Sequence, residues 1–311
     1  MGNTIFGITG RQMKVIAIVV LYKPDDSFVE RIKIISKQVD KIIIYDNSDV
    51  DNLAAHNYSQ IHSVDNALFI SNNQNMGIAT ALNYGAKYAV ENGYDFYVTF
   101  DQDTTITEDY VNRIINSYNC TDNVGVIGPI YNDINVGRES RFPVKKGPLV
   151  LRKRLSNSQG IHDVINVISS GSLYPVKVFT TAGYFIDEYF IDYVDNEFCL
   201  RLLFSGYRVC VDSSIQINHA LGNRTQNSLL FKFSPTNYPY YRKYYMTRNR
   251  LYMYKAYFGK IPSFILYDMA ALLFDLFRVV MFESKRKEKL KAYWRGFTDF
   301  IKGKNGKLTN W

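Results

Sequence analysis

Two acidic clusters in this 311-residue chain have a spacing that can do chemistry. Asp101 and Asp103 stand two apart around Gln102, directly after the apolar run Phe96-Tyr97-Val98-Thr99-Phe100. Carboxylates leaving a buried strand at that spacing can hold a divalent cation between them. Such a cation can bridge a diphosphate and neutralise a departing phosphate. A bare Asp-x-Asp is more often a solvated turn, but two other polar strand ends stand in line with this one, and that reverses the balance. The second cluster is Asp192, Asp195 and Glu197, just before an amphipathic helical stretch. Asp195 or Glu197 can take a proton from a hydroxyl nucleophile. Acids at a helix N-terminus are also favourable without any function. His219 follows a short strand and precedes Gly222, where an imidazole can complete a metal's ligand set, although a lone histidine is more often structural.

The elements that must position these residues alternate. Residues 15–21 are a continuous Val- and Ile-rich run, as a strand buried on both faces requires. Helical spacing over 26–39 leads to a strand at 41–45, which ends in Asp46-Asn47-Ser48-Asp49. A short strand at 67–71, a helix over 77–92 stopped by Gly93, and a strand at 96–100 follow. Thr107 is placed to cap a helix over 108–118. This alternation predicts an α/β fold with a mostly parallel sheet and ligands at the carboxyl ends of its strands. Further on, 124–129, 164–169 and 209–212 read as strands and 198–204 as helix. Residues 132–160 read as a loop with a basic stretch at 145–154, and the chain is helical from 238.

Composition narrows the class. Cys120, Cys199 and Cys210 are an odd number without metal spacing, which predicts a reducing, cytoplasmic setting and no disulfide framework. The apolar run 15–22 is short and flanked by Lys14 and Lys23-Pro24, so it reads as a first strand rather than an export signal. Residues 1–13 fit no element and are expected to be disordered or an extra segment. The 25 tyrosines and 20 phenylalanines suit a carbohydrate site, a membrane-facing surface or a large core. Charge is unevenly placed: residues 1–222 carry 19 basic and 24 acidic side chains, residues 223–311 carry 18 and 5. A mildly acidic body with a strongly basic C-terminal part wants an anionic partner.

Residues 262–282 are very apolar, interrupted by Asp268, Asp275 and Arg278; the two acids, seven apart, share a helical face. This predicts an amphipathic helix rather than a membrane span. The basic, aromatic stretch 283–311 then makes 262–311 an expected contact for an anionic membrane surface. The alternative covering is the rest of the chain or a second subunit, in a homo-oligomer.

Taken in order, these pieces resemble family 2 glycosyltransferases, specifically the bacterial rhamnosyltransferase-type members. The matching segments are 17–24, 39–48, Asn75 to Gly85, 100–103, Ser169-Ser170-Gly171-Ser172, 190–201, His219 to Gly222 and Arg248-Asn249-Arg250. Leu21-Tyr22 departs from the Thr-Tyr of many relatives, and Gln102 in the acidic triplet favours the rhamnosyltransferase type. The resemblance implies a GT-A fold over 14–235 with a C-terminal helical extension over 236–311. It implies an inverting, single-displacement transfer of a sugar from a nucleotide-diphosphate donor to a saccharide or lipid-linked acceptor. The best expectation is L-rhamnose from dTDP-rhamnose, in surface polysaccharide synthesis on the inner face of the plasma membrane.

By the same resemblance, Asp195 is the catalytic base. Tyr22, Asp46, Asn75, Asp101 and Arg248 serve the donor. Ser170, Gly171, Ser172 and Glu197 serve the acceptor. Asp101, Asp103 and His219 hold Mg2+ or Mn2+. The rivals are a galactofuranosyl- or other hexosyltransferase of the same fold, a nucleotidyltransferase, and a non-catalytic membrane-binding module. The nucleotidyltransferase lacks its glycine- and lysine-rich phosphate loop at Leu21-Tyr22-Lys23-Pro24, and no nucleic-acid motif is visible.

Overall fold

The computed structural model describes residues 12–133, 137–219 and 237–309. Its first half is the alternation the sequence predicts, with one helix, α2, that the sequence reading did not include: β1 (Val15–Leu21), α1 (Phe28–Ser36), β2 (Lys41–Asp46), α2 (Leu53–Ile61), β3 (Ala67–Ser71), α3 (Ile78–Glu91), β4 (Phe96–Asp101) and α4 (Tyr110–Asn119). All seven residues of β1 are buried, because helices cover both faces of the sheet. Then come β5 (Val124–Asp133), β6 (Arg138–Glu139), β7 (Phe142–Lys146), β8 (Leu149–Lys153), β9 (Ile161–Asp163), β10 (Ser172–Pro175), α5 (Lys177–Thr181), α6 (Val194–Phe204) and β11 (Arg208–His219). The chain closes with α7 (Tyr240–Tyr257), α8 (Pro262–Phe282) and α9 (Arg286–Ile301).

One sheet runs β3-β2-β1-β4-β10-β5-β11-β9, with β6 bonded to β5. The segment β3-β2-β1-β4 is parallel, and β10 enters antiparallel between β4 and β5. In this register Leu21 lies beside Asp46 and Val20 beside Asp101, so the polar ends of β1, β2 and β4 share one edge.

Three local expectations are corrected. Residues 142–153, expected within a loop, form the β7–β8 hairpin, whose five-residue arms pair around Gly147 in a left-handed turn (φ +60°). Residues 164–169 are not a strand. Val164, Ile165 and Val167 are buried by packing their side chains into the core, which an apolar run alone does not distinguish from strand pairing. Thr107 does not cap α4; its hydroxyl donates to Asp109 Oδ1 at 2.6 Å.

The C-terminal helices are built around buried ion pairs. Lys243, on α7, is fully buried and donates to both oxygens of Asp275 on α8 (2.7 and 3.0 Å). Burial raises the Asp275 carboxyl, but Lys243 and Arg278 beside it outweigh burial and hold it down at about 2. Arg250, also on α7, donates to Asp268 of α8 at 2.7 Å, and Tyr254 donates to the same oxygen at 2.8 Å. Met253 and Tyr257 of α7 and Phe264 and Ile265 of α8 join the hydrophobic cluster that covers the sheet. Asp275→Ala would strand a buried ammonium. We expect it to lower unfolding free energy by about 3–5 kcal/mol in a denaturant titration, with the double variant Lys243→Met/Asp275→Leu recovering most of the loss.

Candidate active site

A cavity of about 920 Å3 opens at the carboxyl edge of β1, β2 and β4. Tyr22, just past β1, donates its backbone N–H to Gln102 Oε1 at 2.7 Å, and Gln102 Nε2 returns a bond to the Tyr22 carbonyl at 3.3 Å. Arg31 donates to the Gln102 carbonyl at 2.6 Å. The middle residue of the acidic triplet is therefore a tether between two strand ends, and both Asp101 and Asp103 line the cavity. Two carboxylates at one strand end supply the hard oxygen ligands that Mg2+ or Mn2+ prefers. His219 ends β11 opposite Asp133, and its side chain lies outside the described set. Among the described residues no group of three His, Cys, Asp or Glu side chains is placed to hold a metal ion.

Asp195, in the first turn of α6, lines the same cavity. Desolvation by the surrounding protein pushes its carboxyl up to about 6. The amide N–H of Asn196 works against this, and the charges of Asp192 and Asp101 add to it. A carboxylate with that value is both largely ionised at neutral pH and basic enough to accept a proton.

The loop that presents Asp195 is strained. Phe190, Asp192 and Tyr193 all have positive φ (64°, 65° and 64°), which side-chain-bearing residues rarely adopt. Two neighbouring side chains of α7 hold it. Asn249 Nδ2 donates to the carbonyls of Tyr189, Ile191 and Asp192 at 2.8–2.9 Å. Arg248 donates to the carbonyls of Glu188 (2.9 Å) and Gly306 (2.7 Å). On the other side, the Phe190 carbonyl accepts from Ile78 N at the start of α3 (2.7 Å). Gly77 must be glycine here: its φ is +90°, and a Cβ would fall 2.6 Å from Phe190.

Of the residues expected at the site, Tyr22, Asn75, Asp101, Asp103 and Asp195 line the cavity, and six others do not. Asp46 is fully buried and accepts from Ser48 N and Asn57 Nδ2, so it orders the β2 end while Asn47 and Asp49 reach the cavity. Arg248 is spent on the loop carbonyls, not on a donor. Ser170, Gly171 and Ser172 lie behind the acidic triplet: Ser170 Oγ accepts from Asp101 N at 3.2 Å, Gly171 N donates to Thr99 O, and Ser172 donates to Ile168 O. Glu197 is buried against Arg201 (2.7 Å) and Tyr257 (2.8 Å).

The cavity also holds residues of the C-terminal part that sequence reasoning missed: Tyr238, Tyr241, Arg242, Tyr245 and Lys307. Arg242 pairs with Asp192 (3.1 Å), and Lys307 Nζ donates to the Asn75 carbonyl (2.8 Å). Their chain distance from the acidic clusters left no spacing to read; the only signal was the local excess of Tyr, Lys and Arg.

The profile of glycosyl transferase family 2 matches residues 17–181. A dTDP-rhamnosyl transferase of Shigella flexneri, RfbF, is 26% identical over 93% of this chain and 96% of its own length. Among solved structures, GalNAc-T7 with UDP, GalNAc and Mn2+ matches with a TM-score of 0.60 at 11% identity; the match covers 93% of this chain and 57% of that one. S. aureus TarS 1–349 with UDP-GlcNAc matches at 0.58 and 15% identity, covering 93% and 81%. The mannosyltransferase PcManGT of Pyrobaculum calidifontis, with GDP-Man and Mn2+, matches at 0.52 and 12%, covering 98% and 79%. At such identities the structural likeness is one of fold.

Asn249→Ala should release three loop carbonyls at once. We expect a stability loss of about 1–3 kcal/mol. Backbone hydrogen exchange should accelerate at residues 189–197 while β1 and β4 stay protected.

Proposed function

The chain belongs to glycosyl transferase family 2 and has the GT-A fold, and on that premise we propose that it transfers L-rhamnose from dTDP-rhamnose to a saccharide hydroxyl with inversion. The observation that carries this reading is Asp195, held in the cavity with a carboxyl near 6, together with Asp101 and Asp103. The choice of sugar rests on the likeness to the Shigella flexneri enzyme over nearly the whole of both chains.

In this scheme the acceptor oxygen attacks the anomeric carbon directly. Its O–H proton passes to Asp195, the bond between that carbon and the donor phosphate oxygen breaks, and the nucleoside diphosphate leaves with the electron pair. One carboxylate suffices, because no covalent sugar–enzyme intermediate forms; a retaining hydrolase needs two. Asp101 and Asp103 would hold Mg2+ or Mn2+, which when bound neutralises charge on the diphosphate. Lys307 adds a cation to the same cavity, the part first assigned to Arg248. Tyr22, Asn47 and Asp49 frame the nucleoside, and the tyrosines of 238–245 offer flat faces to sugar rings. The acceptor is a growing saccharide of a bacterial surface polysaccharide, carried on lipid at the inner face of the plasma membrane.

Purified protein offered dTDP-rhamnose, UDP-galactofuranose, UDP-glucose and GDP-mannose should turn over the rhamnose donor alone, with Mn2+ and not with chelator. Use of another donor would keep the class and change the sugar. Asp103→Ala should abolish the Mn2+-dependent turnover. Asp195→Asn should lose about 10²–10⁴-fold in kcat while donor binding persists. Because the base works as the carboxylate, kcat/KM should rise with pH up to about pH 6 and then level. A flat profile through that range would remove Asp195 from the role.

A further inference from the structure

The two helices after α7 are sorted by charge in the reverse of the usual order. A helix on a protein surface normally turns its apolar stripe inward and its charges out. In α8 the acids face inward: Asp268 and Asp275 are buried against Arg250 and Lys243. The outer face is apolar throughout, with Leu266, Met269, Leu273, Phe277 and Val280 exposed, Leu273 at 66%. These residues recur at three- and four-residue steps, so they form one stripe from Leu266 to Val280 of this 21-residue helix.

The next helix repeats the plan. In α9, Leu290, Trp294, Phe297 and Ile301 stand at steps of four, three and four and are exposed, Trp294 at 68% and Ile301 at 66%. Asp299, on the inner face, accepts from Tyr244 of α7 at 3.0 Å. Glu283, between the helices, is buried against Lys289 at 2.7 Å. Of the acids from 262 to 309 only Glu288 is exposed, whereas Lys285, Arg286, Lys287, Lys291 and Lys302 are exposed beside the two stripes. The β7–β8 hairpin adds to this surface from a distant part of the chain. β8 packs against α8 and carries exposed Leu149, Leu151, Arg152 and Lys153.

We infer that the outward faces of α8 and α9, with the β8 edge, form a docking surface for an anionic phospholipid bilayer, lying in its interface with the apolar stripes inserted. No helix among the described residues is long and apolar enough to cross a membrane, so the helices lie along the surface. The charge sorting selects the occupant. Acids are withdrawn into the protein, and cations and a tryptophan are left at the rim, where lipid phosphates and the polar–apolar boundary would meet them. A second copy of this chain is the poorer fit, because a two-fold contact would set the cationic rims against each other. The inference is independent of the donor sugar and of the catalytic assignment.

The test uses the full chain and vesicles of phosphatidylcholine alone or with phosphatidylglycerol, read by flotation without donor or metal. Binding is expected to the anionic vesicles, weakening at high salt. Leu273→Ser/Phe277→Ser should bind on the order of tenfold or more weakly. Lys287→Glu/Lys291→Glu should lose the preference for anionic lipid. Neither pair lines the cavity, so transfer to a soluble acceptor should not change. In a Trp311→Phe background, lipid brominated on its acyl chains should quench Trp294. Absence of vesicle binding, or equal binding by the Leu273→Ser/Phe277→Ser variant, overturns the inference. A concentration-dependent dimer in sedimentation that those two substitutions dissolve also overturns it, and gives the face to a second copy.

Discussion

The position of Asp195 depends on how α7 holds the loop at 188–193. That loop cannot rest in an ordinary conformation. Three of its residues have positive φ without being glycine, a state that persists only when the surroundings over-determine it. Asn249 and Arg248 do so by occupying the loop's carbonyls, and the start of α3 takes another. The carbonyls would otherwise be desolvated without partners, so the same bonds satisfy the backbone and fix where α6 begins. Asp195 sits in the first turn of α6, and its position follows.

This makes the C-terminal helices part of the site. They cover the hydrophobic side of α6, they line the cavity with Arg242 and several tyrosines, and they return Lys307 to the loop before α3. The ion pairs that bind α7 to α8 sit behind the loop: the Asp268 that pairs with Arg250 also accepts from Tyr193 at 3.1 Å, two residues before Asp195. One packed layer thus connects the loop before Asp195 to the outward helix faces. The high tyrosine content is divided among three uses: buried rings such as Tyr97 and Tyr174, cavity walls such as Tyr241, and hydroxyls that finish buried carboxylates, as Tyr293 does for Asp275.

Much of the catalytic half was legible from the chain. Continuous apolar runs identify β1, β2 and β4, because a strand buried on both faces has no room for a charge. Their polar ends identify the ligand edge, and the ordered motifs identify the family. Asp101, Asp103 and Asp195, which line the cavity, were legible as candidates because each lies next to a periodic element whose end is visible in the sequence. Asp46, Glu197 and Arg248 lie off the cavity wall, and sequence misses this for a common reason: they are charged residues inside motifs, and sequence does not tell a charge facing a cavity from one satisfied within the wall.

The sequence by itself determined the alternating elements, the acidic triplet and the uneven charge, because these are local patterns of hydrophobicity and type. Only the tertiary structure decided which face of each late element turned inward. Asp268 and Asp275 share a helical face in any reading of α8, but whether that face meets water or protein depends on Lys243 and Arg250, supplied by a different helix. The same holds for the loop before Asp195, whose backbone angles are set by side chains some sixty positions away. Long-range partners settle such matters, and a periodicity of three or four residues carries no record of them.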